Sequence, residues 1–263
     1  MDLGISGKVA LVTAASSGLG KAIALCLSAE GAQVMICSRN KQRILAARDD
    51  IAGTTGNPVR GFVADVTDAA HVSDMVQEIG KEFAGVDILV CNAGGPPAGM
   101  HEEFSPDDYR RALELNLLST ISLCYAVLPH MKQQKWGRII AMTSISAKQP
   151  LDRLILSNTS RAGVLGFTKS LANQVAAAGI TVNALCPGYT KTRRVENLAK
   201  AYAEAGKGTI ADFYAGLEKD IPARRIGTPG ECAQTAAFLA SRGAGYITGV
   251  ALQVDGGYVK GLF

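Results

Sequence analysis

Residues 8–20 read Lys8-Val9-Ala10-Leu11-Val12-Thr13-Ala14-Ala15-Ser16-Ser17-Gly18-Leu19-Gly20. An apolar, β-branched run passes through a turn of small residues straight into a helical pattern. A small-residue turn between strand and helix lets the backbone approach a pyrophosphate, whose charge then rests on the helix N-terminus. The first position of the turn is Ala14, where a positive φ would favour Gly. Alone the motif is a weak signal, so its weight depends on the rest of the chain.

Six more runs of the same kind lie at 32–38, 59–64, 86–93, 138–144, 180–186 and 250–255. Helical periods fill the gaps near 18–30, 40–52, 68–83, 106–131, 157–178 and 229–240. Seven strands separated by helices predict a parallel sheet covered on both faces, hence an α/β, doubly wound domain spanning 1–263. Ser105-Pro106 and Thr228-Pro229 mark two helix starts, and Glu231 completes a capping box. The irregular stretch 188–227 is rich in Ala, Glu and Lys, which predicts helices in an insertion, placed as a substrate lid.

The downstream strand ends strengthen the turn. Arg39 follows the second strand, where an acid would hold an adenosine ribose and favour NAD, while Arg suits the 2′-phosphate of NADP; an ordinary solvated loop residue is the other reading. Asp65-Val66 ends the third strand and Asn92-Ala93-Gly94-Gly95 the fourth. All these segments lie at carboxyl ends of parallel strands, where such sheets bind ligands.

Composition narrows the rest. Apolar residues are 48% and charged residues 19% of 263, and the net charge is +4. No Lys/Arg run long enough for nucleic acid appears, and no apolar run approaches the roughly 20 residues of a membrane span. Asp2 in a strand-like N-terminus argues against a signal peptide. Cys26, Cys37, Cys91, Cys124, Cys186 and Cys232 form no CxxC pair, and His71, His101 and His130 share no metal spacing. Reduced thiols, no metal and a cytoplasmic protein with small-molecule chemistry are expected.

Taken together, the chain resembles the short-chain dehydrogenase/reductase family along its whole length. The matching pieces are Thr13–Gly20, Asp65-Val66, Asn92-Ala93-Gly94, Asn116 in LNLL and Ser144 in MTSIS. They continue with Pro187-Gly188, Thr192, Thr248-Gly249 and Asp255-Gly256-Gly257. The look is that of a divergent β-ketoacyl acyl-carrier-protein reductase-like branch. The resemblance implies a Rossmann-type fold, NADP(H) ahead of NAD(H), and a ketone, secondary alcohol or 3-oxoacyl thioester as substrate. It also implies a homotetramer or homodimer. By the same resemblance Thr13, Ser16, Ser17, Gly18, Leu19 and Gly20 form the phosphate turn. Asp65 and Val66 face the adenine, and Asn92, Ala93 and Gly94 the ribose side. Pro187, Gly188, Thr190 and Thr192 line the nicotinamide. Ser144 bonds the substrate carbonyl, and Asn116 holds a relay water.

One departure stands out. The family's Tyr and Lys fall at Ser157 and Arg161, thirteen and seventeen residues after Ser144, and no Tyr lies between Tyr125 and Tyr189. An aliphatic hydroxyl is a far weaker acid than a phenol. Arg161 keeps the charge facing the same way and can still donate to the cofactor's ribose hydroxyls, but does not pass protons. Tyr189 and Lys148 are candidate donors; a pocket-lining aromatic and a solvated lysine are the plain readings. Arg193, Arg194, Arg224 and Arg225 near the lid suit an acidic carrier, a coenzyme A phosphate or simply solvent. Two functions stay open: an NADP-dependent reductase with altered proton donation, and a catalytically silent NADP-binding sensor or assembly partner.

Overall fold

The computed structural model describes residues 2–262. Seven strands form one parallel sheet: β1 (Val9–Val12), β2 (Gln33–Ser38), β3 (Val59–Val63), β4 (Ile88–Cys91), β5 (Gly137–Met142), β6 (Ile180–Pro187) and β7 (Ala251–Val254). Their spatial order is β3-β2-β1-β4-β5-β6-β7. The chain builds outward from β1 to β3, then returns to the other side of β1. This reversal opens a crevice beyond the carboxyl ends of β1 and β4.

Nine α-helices accompany the strands among the described residues: α1 (Gly18–Ala29), α2 (Lys41–Thr55), α3 (Ala69–Phe83), α4 (Pro106–Leu113), α5 (Ser119–Gln134), α6 (Ile155–Val175), α7 (Arg193–Glu204), α8 (Ile210–Asp220) and α9 (Pro229–Ala240). Successive strand side chains point to opposite faces, so each strand feeds two cores. On one face Ala10, Val12, Ile36 and Val90 meet Ile23 and Leu27 of α1, Ile44 of α2 and Ala236 of α9. On the other, Leu11, Met35, Leu89 and Ile139 meet Met75 of α3, Leu123 and Val127 of α5 and Ala172 of α6. Register places Leu11 beside both Met35 and Leu89, and Leu89 beside Ile139, a continuous apolar row. Burial on both faces is why these strands read as unbroken apolar runs.

The predicted helix 106–131 is a run from Pro106 to Gln134, interrupted by a π turn at Glu114–Leu118 that nothing in the local sequence announces. Contrary to the apolar-run expectation, this run is long and apolar enough to cross a membrane by length and composition. Its lower half is packed as a core helix through Leu123, Cys124, Val127 and Met131. The caps are as expected. Thr228 N–H donates to Glu231 Oε2 at 2.8 Å, and Ser105 N–H to Asp108 Oδ2 at 2.9 Å.

Insertion 188–227 contains the predicted helices, α7 and α8. Its base is closed by a bridge between Thr190 and Gly227, with Gly227 N–H donating to Tyr189 O at 2.9 Å.

Candidate active site

The turn after β1 is held by the end of β4. Thr13 Oγ1 donates to Asn92 O at 2.6 Å and accepts from Asn92 N–H at 2.9 Å. The Asn92 carboxamide donates back to Thr13 O at 3.2 Å and Ala14 O at 3.3 Å. These bonds put Ala14 at φ 46°, a left-handed conformation that costs an L-residue about 1–2 kcal/mol. Gly20 is needed for room, because a Cβ there would stand 2.7 Å from Asn92 Nδ2 and 2.8 Å from Ala14 O. Thr13 and Gly20 are buried and act as struts, and they do not line the cleft. Ser17, the N-cap of α1, makes no side-chain capping bond, so the first amides of α1 are left for a ligand. The turn thus fits a dinucleotide pyrophosphate.

Farther along the same sheet edge, Arg39 Nη1 stands 3.9 Å from Asp65 Oδ2, and its side chain is 77% exposed. Burial works to raise the Asp65 carboxyl, but hydrogen bonds from Thr67 N–H and Oγ1 and the charge of Arg39 outweigh it. The group is held below its usual range. Arg39, Asp65 and Val66 lie outside the central cleft.

The cleft itself encloses about 330 Å³. Its floor joins Ser17–Leu19, Asn92–Gly95, Met142–Ile145 and Pro187–Thr190, all at carboxyl ends of strands. Leu151, Leu154 and Leu198 supply an apolar wall. Gly99 N–H donates to Arg153 O at 2.7 Å, pinning the loop after β4 to the start of α6.

Ser144 ends the extended segment after β5, and its Oγ accepts from Ser146 N–H at 3.1 Å, leaving the hydroxyl proton free to donate. Ser157 and Arg161 sit one turn apart on α6 and face inward, 6% and 8% exposed. Ser157 Oγ shares a 3.0 Å hydrogen bond with Ser146 Oγ. Arg161 Nη1 donates to Met142 O at 3.1 Å and Thr143 O at 2.8 Å, the carbonyls where β5 ends. Burial, with the charge of Arg194 adding, pushes the Arg161 guanidinium down to about 10; it stays charged at neutral pH.

Asn116 occupies the π turn. Its Nδ2 donates to Gly94 O at 3.1 Å, its Oδ1 accepts from Ser160 Oγ at 3.0 Å, and its carbonyl accepts from Thr120 Oγ1 at 2.8 Å. With these groups engaged, and outside the cleft lining, Asn116 braces α6 against the loop after β4.

The two alternative donors fare differently from what an acid needs. Tyr189 lines the cleft, but burial first, and then Tyr258 packed edge-on at 5.5 Å, push its phenol up to about 12. That is the wrong direction for a proton donor. Lys148 does not line the cleft. Among the arginines near the insertion, Arg193 and Arg194 enter the cleft, whereas Arg225 is paired with Glu231 and Arg224 donates to Lys219 O. No trio of His, Cys, Asp or Glu among the described residues is placed to hold a metal ion.

Sequence reasoning missed Ser146, Ser160 and the apolar wall. Single hydroxyls and leucines carry no signature until the fold brings them to Ser157, Asn116 and the cleft.

Comparison with known proteins gives matches along nearly the whole chain. The family described as enoyl-(acyl carrier protein) reductase matches residues 13–259. The chain is 37% identical to the 3-oxoacyl-acyl-carrier-protein reductase FabG of Escherichia coli, over 97% of this chain and 98% of that protein. L-sorbose reductase from Gluconobacter frateurii, solved with NADPH and L-sorbose, superposes with a TM-score of 0.95 at 33% identity over 100% of both chains. A short-chain type dehydrogenase/reductase from Mycobacterium marinum superposes at 0.88 and 33% identity, covering 98% of this chain and 97% of that one.

Proposed function

The chain belongs to the short-chain dehydrogenase/reductase family, and we propose that it is an NADP(H)-dependent oxidoreductase. The reaction is hydride transfer between the nicotinamide and a ketone or secondary alcohol, with 3-oxoacyl thioesters among the substrates. One observation carries this reading. A single cleft brings the uncapped start of α1, Ser144, Arg161 and the Pro187–Thr192 segment together at the crevice. NADPH supplies the hydride when bound.

The work divides among these residues by position. Ser17, Gly18 and Leu19 receive the pyrophosphate on the first amides of α1, and Arg39, released from its exposed pairing with Asp65, takes the 2′-phosphate. Ser144 donates a hydrogen bond to the substrate oxygen. Arg161 sets a fixed positive charge beside the oxygen where negative charge grows, which lowers the barrier electrostatically. Proton delivery falls to solvent, since Ser157 is a weak acid tied to Ser146. Insertion 188–227 acts as a lid, held through Arg194 on the loop after β4. Free thiols at all six cysteines fit a cytoplasmic protein. Exposed Phe238, Tyr246, Val250 and Leu252 near the edge strand β7 fit a homotetramer or homodimer face.

The test is NADPH oxidation over ketones and 3-oxoacyl thioesters, with the native protein beside the Ser157→Tyr, Arg161→Lys double variant. Native turnover supports the reductase. A native protein that binds NADPH without turnover, beside an active variant, supports the second reading: a catalytically silent NADP-binding sensor or assembly partner. The hydrogen bond that occupies Ser157 and the raised phenol of Tyr189 favour that second reading.

A further inference from the structure

Arg161, Arg193 and Arg194 line the cleft, and among the described residues no Asp or Glu does. Elsewhere Arg60, Arg110, Arg111, Arg153 and Arg225 are each matched by a carboxylate, and the buried Arg138, which has none, donates through Nε and Nη1 to the carbonyls of Ser241, Gly137 and Gly179. The three cleft arginines have no ion-pair partner among the described residues. Arg161 is the most demanding of them, because a buried charge is costly unless it is paired. Both of its hydrogen bonds use one nitrogen, Nη1. Its Nε and Nη2 bond to nothing among the described residues, yet they are not sealed in the core; they open on the cleft.

Arg194 reaches the same cleft from α7. Its Nη2 donates to Pro96 O at 2.9 Å, and its guanidinium lies over Gly95, where a Cβ would stand 3.4 Å from its Cζ. Arg161 and Arg194 line the same cleft, so two like charges share one space. A protein that buries one guanidinium and adds a second beside it, without a carboxylate, lacks an anion that its ligand can bring. Two guanidinium groups suit a carboxylate well, since each offers parallel N–H donors to a pair of oxygens.

We propose that Arg161 and Arg194 clamp the carboxylate of the substrate, so that the preferred substrates are small oxo acids or hydroxy acids. The inference rests on the oxidoreductase reading for which site is meant, and its anion has rival sources: the cofactor pyrophosphate, a coenzyme A phosphate or an acidic carrier. Position favours the substrate. Arg161 lies beside Ser157 and the end of β5, next to Ser144, whereas the pyrophosphate turn is at Ser17–Leu19. The clamp also gives Arg161 a use that a ribose-facing charge alone does not, because it employs the free edge of the guanidinium.

The experiment is calorimetric binding to the full-length protein, without NADPH and saturated with it, of acetoacetate and 2-oxobutyrate beside their methyl esters. The acids should bind more tightly than the esters by at least about tenfold, the scale of one charge-assisted hydrogen bond. Arg194→Gln should remove most of that preference, Arg194→Lys should retain part of it, and NADPH affinity should change less than about twofold in both. Equal binding of acid and ester, no binding of the acids, or an Arg194→Gln effect confined to NADPH would overturn the proposal. The last outcome would assign the arginines to the cofactor phosphates. Because binding is read without turnover, a protein that prefers the acids but never oxidises NADPH would sink the reductase reading and leave the clamp standing.

Discussion

The two halves of the crevice are built to different standards. On the β1–β4 side, four hydrogen bonds between Asn92 and the Thr13-Ala14 turn lock a backbone whose strained Ala14 and crowded Gly20 serve close approach. On the β5–α6 side the scaffold is equally well braced, through Asn116, Ser160 and Thr143, yet the acid expected at its centre is a serine bonded to another serine. On the proposed function, the difference separates binding from chemistry in this fold. The cofactor half depends on backbone geometry, which tolerates Ala14. The chemical half, on the same proposal, has no side-chain acid at Ser157 and takes its proton from solvent.

The largest expected effect breaks the first half. Gly20→Ala drives a Cβ against Asn92 Nδ2 and the Ala14 carbonyl, and backbone does not yield cheaply. NADPH affinity should fall by about tenfold to a hundredfold, the scale of overpacking strain. A fluorescence titration with unchanged affinity would remove the turn from the binding account. Next in size, Arg39→Ser should lower NADPH affinity by about tenfold while sparing NADH, as loss of a charge-assisted contact does. Equal losses for the two cofactors would assign Arg39 elsewhere.

The chemical half is sharpened by a variant expected to do little to it. Ser157→Ala should cost about 1 kcal/mol of stability, from the Ser146 hydroxyl left without its partner, and leave turnover within about twofold. A large loss of turnover with a preserved fold would show Ser157 to be the acid after all.

Most of the architecture was legible because its causes are local or periodic. The seven strands announce themselves as apolar runs buried on both faces, and Thr228-Pro229 with Glu231 announces a capped helix. The turn motif was legible too, including the demand for a left-handed residue at Ala14. The π turn was not, since LELNLL continues an ordinary helical period and only the tertiary setting of Asn116 extracts the extra residue. Nor was the role of Arg161. Its partners, the carbonyls of Met142 and Thr143, come within reach only when α6 lies on the end of β5. The rise in the Tyr189 phenol comes first from burial that only the fold creates, and then from Tyr258, brought back from the far end of the chain.

Two smaller effects test the scaffold shared by both halves. The Glu231 carboxyl is held at about 2 by Arg225 and by the cap of α9, against an ordinary value of 4.5. A carboxyl depressed by folding stabilises above its unfolded value, and that stability drains as pH falls from about 4.5 towards 2. Thermal melts of the native protein and Glu231→Gln should therefore differ at neutral pH and converge near the acid end. Parallel melting curves across that range would contradict the sign. The smallest change is expected for Ala14→Gly, where relief of left-handed strain and the added freedom of the unfolded chain oppose each other to within about 1 kcal/mol. A melt shifted by much more in either direction would mean that the Ala14 methyl makes a contact beyond the strain at its backbone.

The separation of the two halves is tested most directly by titrating NADPH into the native protein and into the Ser157→Tyr, Arg161→Lys variant, watching the fluorescence of the bound nicotinamide. An intact cofactor half predicts saturable binding by both, with dissociation constants within a few-fold of each other, about 1 kcal/mol at most. A native protein that fails to bind NADPH while the variant binds it would contradict the separation, because the cofactor site would then depend on the very residues assigned to the chemistry.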